Sequence, residues 1–193
     1  MKKILMTLAA VAVATTMNAQ VWFGGQIGFT QDHVSNSKVS TNDLFVKPEI
    51  GYNLDDKFAV AVALGYQYQG TTGVAHTNTW SIQPYLRYTF VKAGNFAAFI
   101  DGGLTYSTAH EKGLKKNTNS LGVFVKPGIA YNVSDKVTLV AHLGNLDGGA
   151  YFKHSWNGEF AGDTKYPAQA SSHSNHWGLQ LLNGISFGAY YNL

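Results

Sequence analysis

The chain has 193 residues, 14 of them Lys or Arg and 11 Asp or Glu, and it contains no cysteine. Disulfides and thiolate metal sites are therefore excluded, and a formal net charge of +3 is too small to indicate nucleic acid or a steering field. Charged residues make up only 13% of the chain while glycine (21), tyrosine (11) and phenylalanine (11) are plentiful; no helical periodicity persists, which points to an all-β protein.

The first element reads as a secretory signal over residues 1–19. Lys2 and Lys3 give it a basic start, Ile4 to Val13 an apolar run, and Asn18-Ala19-Gln20 a cleavage site. The run is shorter than the roughly 20 residues a membrane-spanning helix requires. Residues 20–193 then form one nearly neutral domain, because no Pro/Ser-rich or charge-rich linker divides them.

Eight strands follow, and alternation splits each into two faces. The first sets Val21, Phe23, Ile27 and Phe29 against Trp22, Gln26 and Thr30. The second sets Leu44, Val46, Ile50 and Tyr52 against Phe45, Lys47 and Glu49, and the third Val60, Val62, Leu64, Tyr66 and Tyr68 against Ala59, Ala61, Ala63 and Gln67. In the fourth, Trp80, Ile82, Leu86, Tyr88 and Phe90 oppose Ser81, Gln83, Tyr85 and Arg87; in the fifth, Phe96, Ile100, Leu104 and Tyr106 oppose Phe99, Asp101 and Thr105. The sixth places Val123, Val125, Ile129 and Tyr131 opposite Phe124 and Lys126, the seventh Val137, Leu139 and Leu143 opposite Val140 and His142. The eighth ends the chain with Leu179, Leu181, Ile185, Phe187 and Tyr191 opposite Gln180, Ser186 and Tyr190.

Every Lys, Arg, Asp or Glu within these strands (Lys47, Glu49, Arg87, Asp101, Lys126) falls on the second face. A soluble sandwich would turn the apolar face inward and show more charge to water. A membrane barrel turns the apolar face to lipid and fills a narrow lumen with the small and polar face. Aromatic residues also gather at the strand ends: Tyr52, Phe58, Tyr88, Phe90, Phe96, Tyr131 and Tyr191 at one, Tyr66, Tyr68, Trp80, Tyr106 and Trp177 at the other. Such belts suit the two headgroup layers. The pattern predicts an eight-stranded antiparallel up-and-down transmembrane β-barrel.

Tight turns near Asn53–Lys57, Lys92–Asn95 and Asn132–Lys136 mark the periplasmic end. Longer links near Gln31–Asn42, Gly70–Asn78, His110–Asn119 and Asn145–Asn175 mark extracellular loops. Pro48, Pro84 and Pro127 recur on the outward face and each removes a ladder donor, which predicts a bulge or local break.

The segment Phe45-Val-Lys-Pro-Glu-Ile-Gly-Tyr-Asn53 is nearly repeated as Phe124-Val-Lys-Pro-Gly-Ile-Ala-Tyr-Asn132, and the chain closes with Ile185-Ser-Phe-Gly-Ala-Tyr-Tyr-Asn-Leu193. With its signal, the chain resembles the small porin-like outer-membrane β-barrel proteins of Gram-negative bacteria. That resemblance implies residence in the cell outer membrane, contact with its lipid and lipopolysaccharide, and passage through the barrel-insertion machinery. The machinery reads a terminal aromatic residue in such proteins; here Leu193 is last and Tyr191 stands two before it.

Eight strands leave room for side chains and not for an open pore. Lys47, Glu49, Arg87, Asp101, Lys126 and His142 are therefore expected to meet as a lumen charge network with opposite signs paired. The role expected is structural or surface interaction by a monomer; a narrow passage for small solutes or ions is the alternative and an outer-membrane enzyme the third reading. Tyr151, Phe152, Trp156 and Phe160 in the longest loop are candidate recognition residues unless they extend the seventh and eighth strands. Lys112, Lys115 and Lys116 are candidates to touch lipopolysaccharide phosphates, and read equally as a solvated charge run. His154, His173 and His176 are the candidate metal ligands, though Ser171-Ser-His-Ser-Asn-His176 reads equally well as a solvated loop, and no cofactor is expected. Ser171, Ser174, His173 and Asp163 supply catalytic residue types without a catalytic signature.

Overall fold

The structure is a computed structural model describing residues 21–33, 40–71, 76–143, 149–179 and 185–193. The signal over 1–19, the middles of the first two predicted loops, and Gln180 and Leu181 lie outside the described residues.

Ten strand segments run β1 (Val21–His33), β2 (Ser40–Asn53), β3 (Phe58–Thr71), β4 (Thr77–Ala93), β5 (Phe96–Glu111), β6 (Thr118–Asn132), β7 (Val137–Leu143), β8 (Ala150–Asn157), β9 (Ser172–Leu179) and β10 (Ile185–Asn192). All pairings are antiparallel, and the order β5-β4-β3-β2-β1-β10-β7-β6 returns to β5 through β5–β6. This is a closed eight-stranded barrel with no helix among the described residues. β7 and β8 both pair with β6, so they are successive parts of the seventh wall strand; β9 and β10 serve as the eighth.

The faces divide as alternation dictates. Phe23, Ile27, Val62, Ile82, Leu86, Leu104, Val123, Ile129, Leu139 and Phe187 are exposed on the outer wall. Trp22, Phe45, Tyr85, Phe99, Phe124, Val140 and Tyr190 are buried inside. From Trp80 to Phe90 the outer wall of β4 extends about 33 Å at roughly 3.3 Å per residue, which a tilt of about 40° projects to roughly 25 Å. That matches the apolar band of an outer-membrane barrel. Stacked or tilted pairs such as Phe58–Tyr88 (5.0 Å) and Phe96–Tyr131 (4.7 Å) line one rim, and Tyr66–Trp80 (4.8 Å) the other.

At the short-turn end, Gly94 adopts φ +59° between β4 and β5, the left-handed geometry a two-residue hairpin turn demands. Asp55 Oδ1 accepts the Lys57 and Phe58 amides at 2.7 Å each, and those bonds hold its carboxyl below the ordinary range. The Leu193 amide donates to the Val21 carbonyl at 3.0 Å, so both described ends of the barrel meet here.

The prolines interrupt the ladder on one side without shifting register in two cases: pairing skips Lys47 and Pro48 against β3, and Gln83 and Pro84 against β5. At Pro127 the consequence is larger. Partners of β6 pass from His142 to Ala150 across only Lys126 and Pro127, so the seventh wall strand leaves the sheet there and re-enters as β8. The one register shift within a ladder lies elsewhere, at Thr89/Val91.

Two loop expectations require correction. The strands run past their expected upper ends, β5 to Glu111 and β6 from Thr118. The link Asn145–Asn175 is in part wall, because β8 and the start of β9 pair as a hairpin within it. The cause is solvent: above the membrane both faces meet water, so apolar alternation, the signal for a strand, disappears while the backbone ladder continues.

Candidate functional site: the filled lumen and the outer rim

The lumen is built from inward positions at mid-height. Arg87 on β4 faces Asp101 on β5 as a direct cross-strand partner. Its Nε and Nη2 donate to Asp101 Oδ1 and Oδ2 at 2.7 and 2.8 Å, a bidentate pair. His142 Nε2 lies 2.9 Å from Asp101 Oδ2, which fits donation from that nitrogen. The guanidinium also sits 3.9 Å from the Phe99 ring centre and 5.2–5.7 Å from those of Trp22, Tyr85 and Tyr190, so cation–π contact adds to the ion pair.

Glu49 is the second hub. It accepts Tyr85 Oη at 2.6 Å, Tyr190 Oη at 2.8 Å and the Gln26 amide, and Lys47 Nζ lies 3.3 Å away. Ser186 donates to Gln26 (2.9 Å), Lys47 to Gln83 (3.5 Å) and Gln83 to Thr105 (3.3 Å). Arg87 Nη2 donates to Tyr190 Oη at 3.2 Å and joins the two hubs. Lys126 is buried and takes part in no ion pair among the described residues; Asp101, its cross-strand partner, is engaged by Arg87 and His142.

At the opposite end, β8, β9 and the link between them lean on the loop joining β5 to β6. Phe160 and Gln169 form a two-bond bridge at 2.7 Å each way. The Lys116 amide donates to Gln169 Oε1 at 3.2 Å, and Lys115 Nζ lies 4.4 Å from the Phe160 ring centre and 3.6 Å from Asp163. Asp163 Oδ1 accepts the Lys165 and Tyr166 amides at 2.8 Å each, which holds its carboxyl below the ordinary range, with Lys115 adding to the effect.

The outer membrane protein beta-barrel domain model matches residues 4–161. The chain belongs to that family. The crystal structure of Neisserial surface protein A is similar at 15% identity, covering 90% of this chain and 97% of that one with a TM-score of 0.50. OprG from Pseudomonas aeruginosa is similar at 11% identity, covering 90% and 94% with a TM-score of 0.54. At such identities the likeness is one of fold. No curated protein matches the sequence. The family places this barrel in the outer membrane.

In this outer-membrane barrel five of the six expected lumen residues form pairs, Lys47 with Glu49, Arg87 with Asp101 and His142 with Asp101, whereas Lys126 is buried with no ion pair among the described residues. Gln26, Gln83, Tyr85, Thr105, Ser186 and Tyr190 were the network members that charge alone did not single out. Parity had already placed them on the same face. The recognition candidates do not share one loop: Tyr151, Phe152 and Trp156 lie on β8, and only Phe160 lies in the link. Tyr151 packs against the core, whereas Phe152 is exposed on the outer wall.

The histidines separate by parity. His154 and His173 share the outer face, with rings 5.7 Å apart, while His176 is paired with Lys153 on the other. Among the described residues no three potential metal ligands converge. Ser174 Oγ lies 2.9 Å from His176 Nε2 rather than on His173. Asp163 is taken up by Lys115 and two backbone amides, and no carboxylate pairs with His173 or His176 among the described residues.

Proposed function

We propose that this protein is a structural, surface-presenting barrel whose lumen is plugged by its own side chains, neither a conducting pore nor an enzyme. The observation that supports this most is the Arg87–Asp101–His142 unit set among Trp22, Tyr85, Phe99 and Tyr190, which occupies the lumen at mid-height. A buried charge set of this kind persists where each charge has a partner and water is kept out. Beyond the plug, the β8–β9 hairpin raises the wall on one side and offers surface to a partner. Among the described residues the Ser174–His176 contact has no orienting carboxylate of the kind a hydrolytic triad needs.

The test is single-channel recording of the refolded protein in planar bilayers. The wild type is expected to stay silent, and a steady unit conductance would overturn the plug. One feature favours the second reading, passage of small ions: a polar recess of about 440 Å3 at the short-turn end is lined by Asp55, Asp56, Lys57, Thr89, Lys92 and Arg87 itself. We also take the barrel to be a monomer, exported through residues 1–19 and inserted by the barrel-insertion machinery. Light scattering in detergent and N-terminal sequencing of the membrane-resident chain check those points.

A further inference from the structure

Along the outer face of β6, β8 and β9 the chemistry changes in three steps. The row Val123–Phe152–Trp177 is apolar, the next, Leu121–His154–Asn175, is mixed, and Asn119–Trp156–His173 is aromatic and polar. Each step is two residues, so the third row stands about 13 Å further along the strand and, with a tilt near 40°, roughly 10 Å higher. That height lies above the hydrocarbon, among headgroups.

A cleft of about 630 Å3 opens at this third row, lined by Lys115, Lys116, Asn117, Asn119, Trp156 and His173. Its parts are held in place. His154 stacks on Trp156 at 5.9 Å and on His173 at 5.7 Å, which fixes both rings. Gln169 holds the Lys116 backbone and Phe160 with Asp163 holds the Lys115 side chain. Lys116 is exposed and its side chain lies along Gly158, and no ion pair engages it among the described residues.

We propose that this cleft binds the phosphorylated sugar headgroup of an outer-leaflet glycolipid, a lipopolysaccharide being the type. This rests on the surface-interaction reading above and names its partner. The Lys116 and Lys115 ammonium groups meet the phosphate, Asn117 and Asn119 supply amides for sugar hydroxyls, and Trp156 presents a flat face with an N–H at its edge. Phe152 and Trp177, two rows below, are exposed apolar wall on the same strands, toward the acyl chains. Asn119, Trp156 and His173 lie on the outward face of the wall by parity, with the Lys115–Lys116 loop beside them. A lipid headgroup reaches them there without entering the barrel.

The experiment is a fluorescence titration of the full barrel, refolded in zwitterionic detergent, with diphosphoryl lipid A carried in the same detergent. Lys116→Gln is expected to weaken binding about tenfold, the scale of one charge-assisted contact. Removing the phosphates from the probe is expected to erase the difference between Lys116→Gln and wild type. Soluble glucosamine 1-phosphate is expected to bind far more weakly. Equal affinity of wild type and variant for diphosphoryl lipid A would overturn the site, and equal affinity for the soluble sugar phosphate would overturn its membrane source. Heat-modifiable gel migration verifies that Lys116→Gln folds, and Trp156→Phe gives a second, independent loss. A conducting wild type that still binds lipid A would fault the plug and leave this site standing.

Discussion

Each inward aromatic ring lies across from a glycine on a neighbouring strand: Trp22 from Gly51, Phe45 from Gly28, Phe99 from Gly128, Tyr151 from Gly178, Tyr190 from Gly24, and both Tyr85 and Phe124 from Gly103. A Cβ at Gly128 would stand 2.5 Å from Phe99 Cζ, so the ring has its place only because that position has no side chain. This is how a narrow bore holds seven rings and still seats a guanidinium among them. The buried charges are not equivalent, however. Asp101→Ala strands Arg87 in the lumen and is expected to lower stability by about 3–5 kcal/mol. Lys126→Met removes a buried amine that no carboxylate pairs with among the described residues, and is expected to leave stability unchanged or raise it. Urea unfolding in detergent, followed by the heat-modifiable band, checks both; equal losses in the two variants would show that the charges act as one undifferentiated set. Signs and parity announce this network in the sequence, but only geometry shows that Asp101 chooses Arg87 over Lys126.

At the scale of elements, the wall strands were legible wherever lipid faces one side, because burial on one face and lipid on the other impose a period of two. Above that level the signal failed for a physical reason. Residues such as Thr118, Asn119, Ser155 and Asn157 pair in the ladder although their composition reads as loop. At Pro127 the expected ladder break is larger than proline alone requires, since the seventh strand leaves the sheet there and re-enters as β8. Two of the turns depend on carboxylates, Asp55 between β2 and β3 and Asp163 between β8 and β9. Asp163 caps the Lys165 and Tyr166 amides, and a carboxyl held below its ordinary value contributes order that is complete above the unfolded carboxylate range and is lost as pH falls through the lowered value. The Lys165 and Tyr166 amide resonances are therefore expected to hold steady from neutral pH down to about 4 and to move only below it. The Asp163→Asn variant should show no such step. A step near pH 6 in the wild type would assign the turn to a histidine instead.

The whole molecule inverts the usual arrangement of a globular domain. Its apolar face is outside, Lys47, Glu49, Arg87, Asp101 and Lys126 are buried at the centre, and stability comes from a closed ladder and a polar plug with lipid as the surrounding medium. Composition alone hides this, since alternation averages the two faces to near neutrality; the placement of Lys47, Glu49, Arg87, Asp101 and Lys126 on one face reveals it. Function is less legible, because the plug and the rim arise from residues that a loop or a core would also use. The orientation of the wall can be tested directly because the chain has no cysteine. Single cysteines at Val60, Val62 and Leu64, and at the alternate positions Ala61 and Ala63, can each carry a bimane in vesicles containing mid-chain doxyl lipid. The first three are exposed on the outer wall and should be strongly quenched, while Ala61 and Ala63 face the lumen and should not be. Equal quenching along β3, or quenching confined to Ala61 and Ala63, would contradict a barrel whose greasy face meets the membrane.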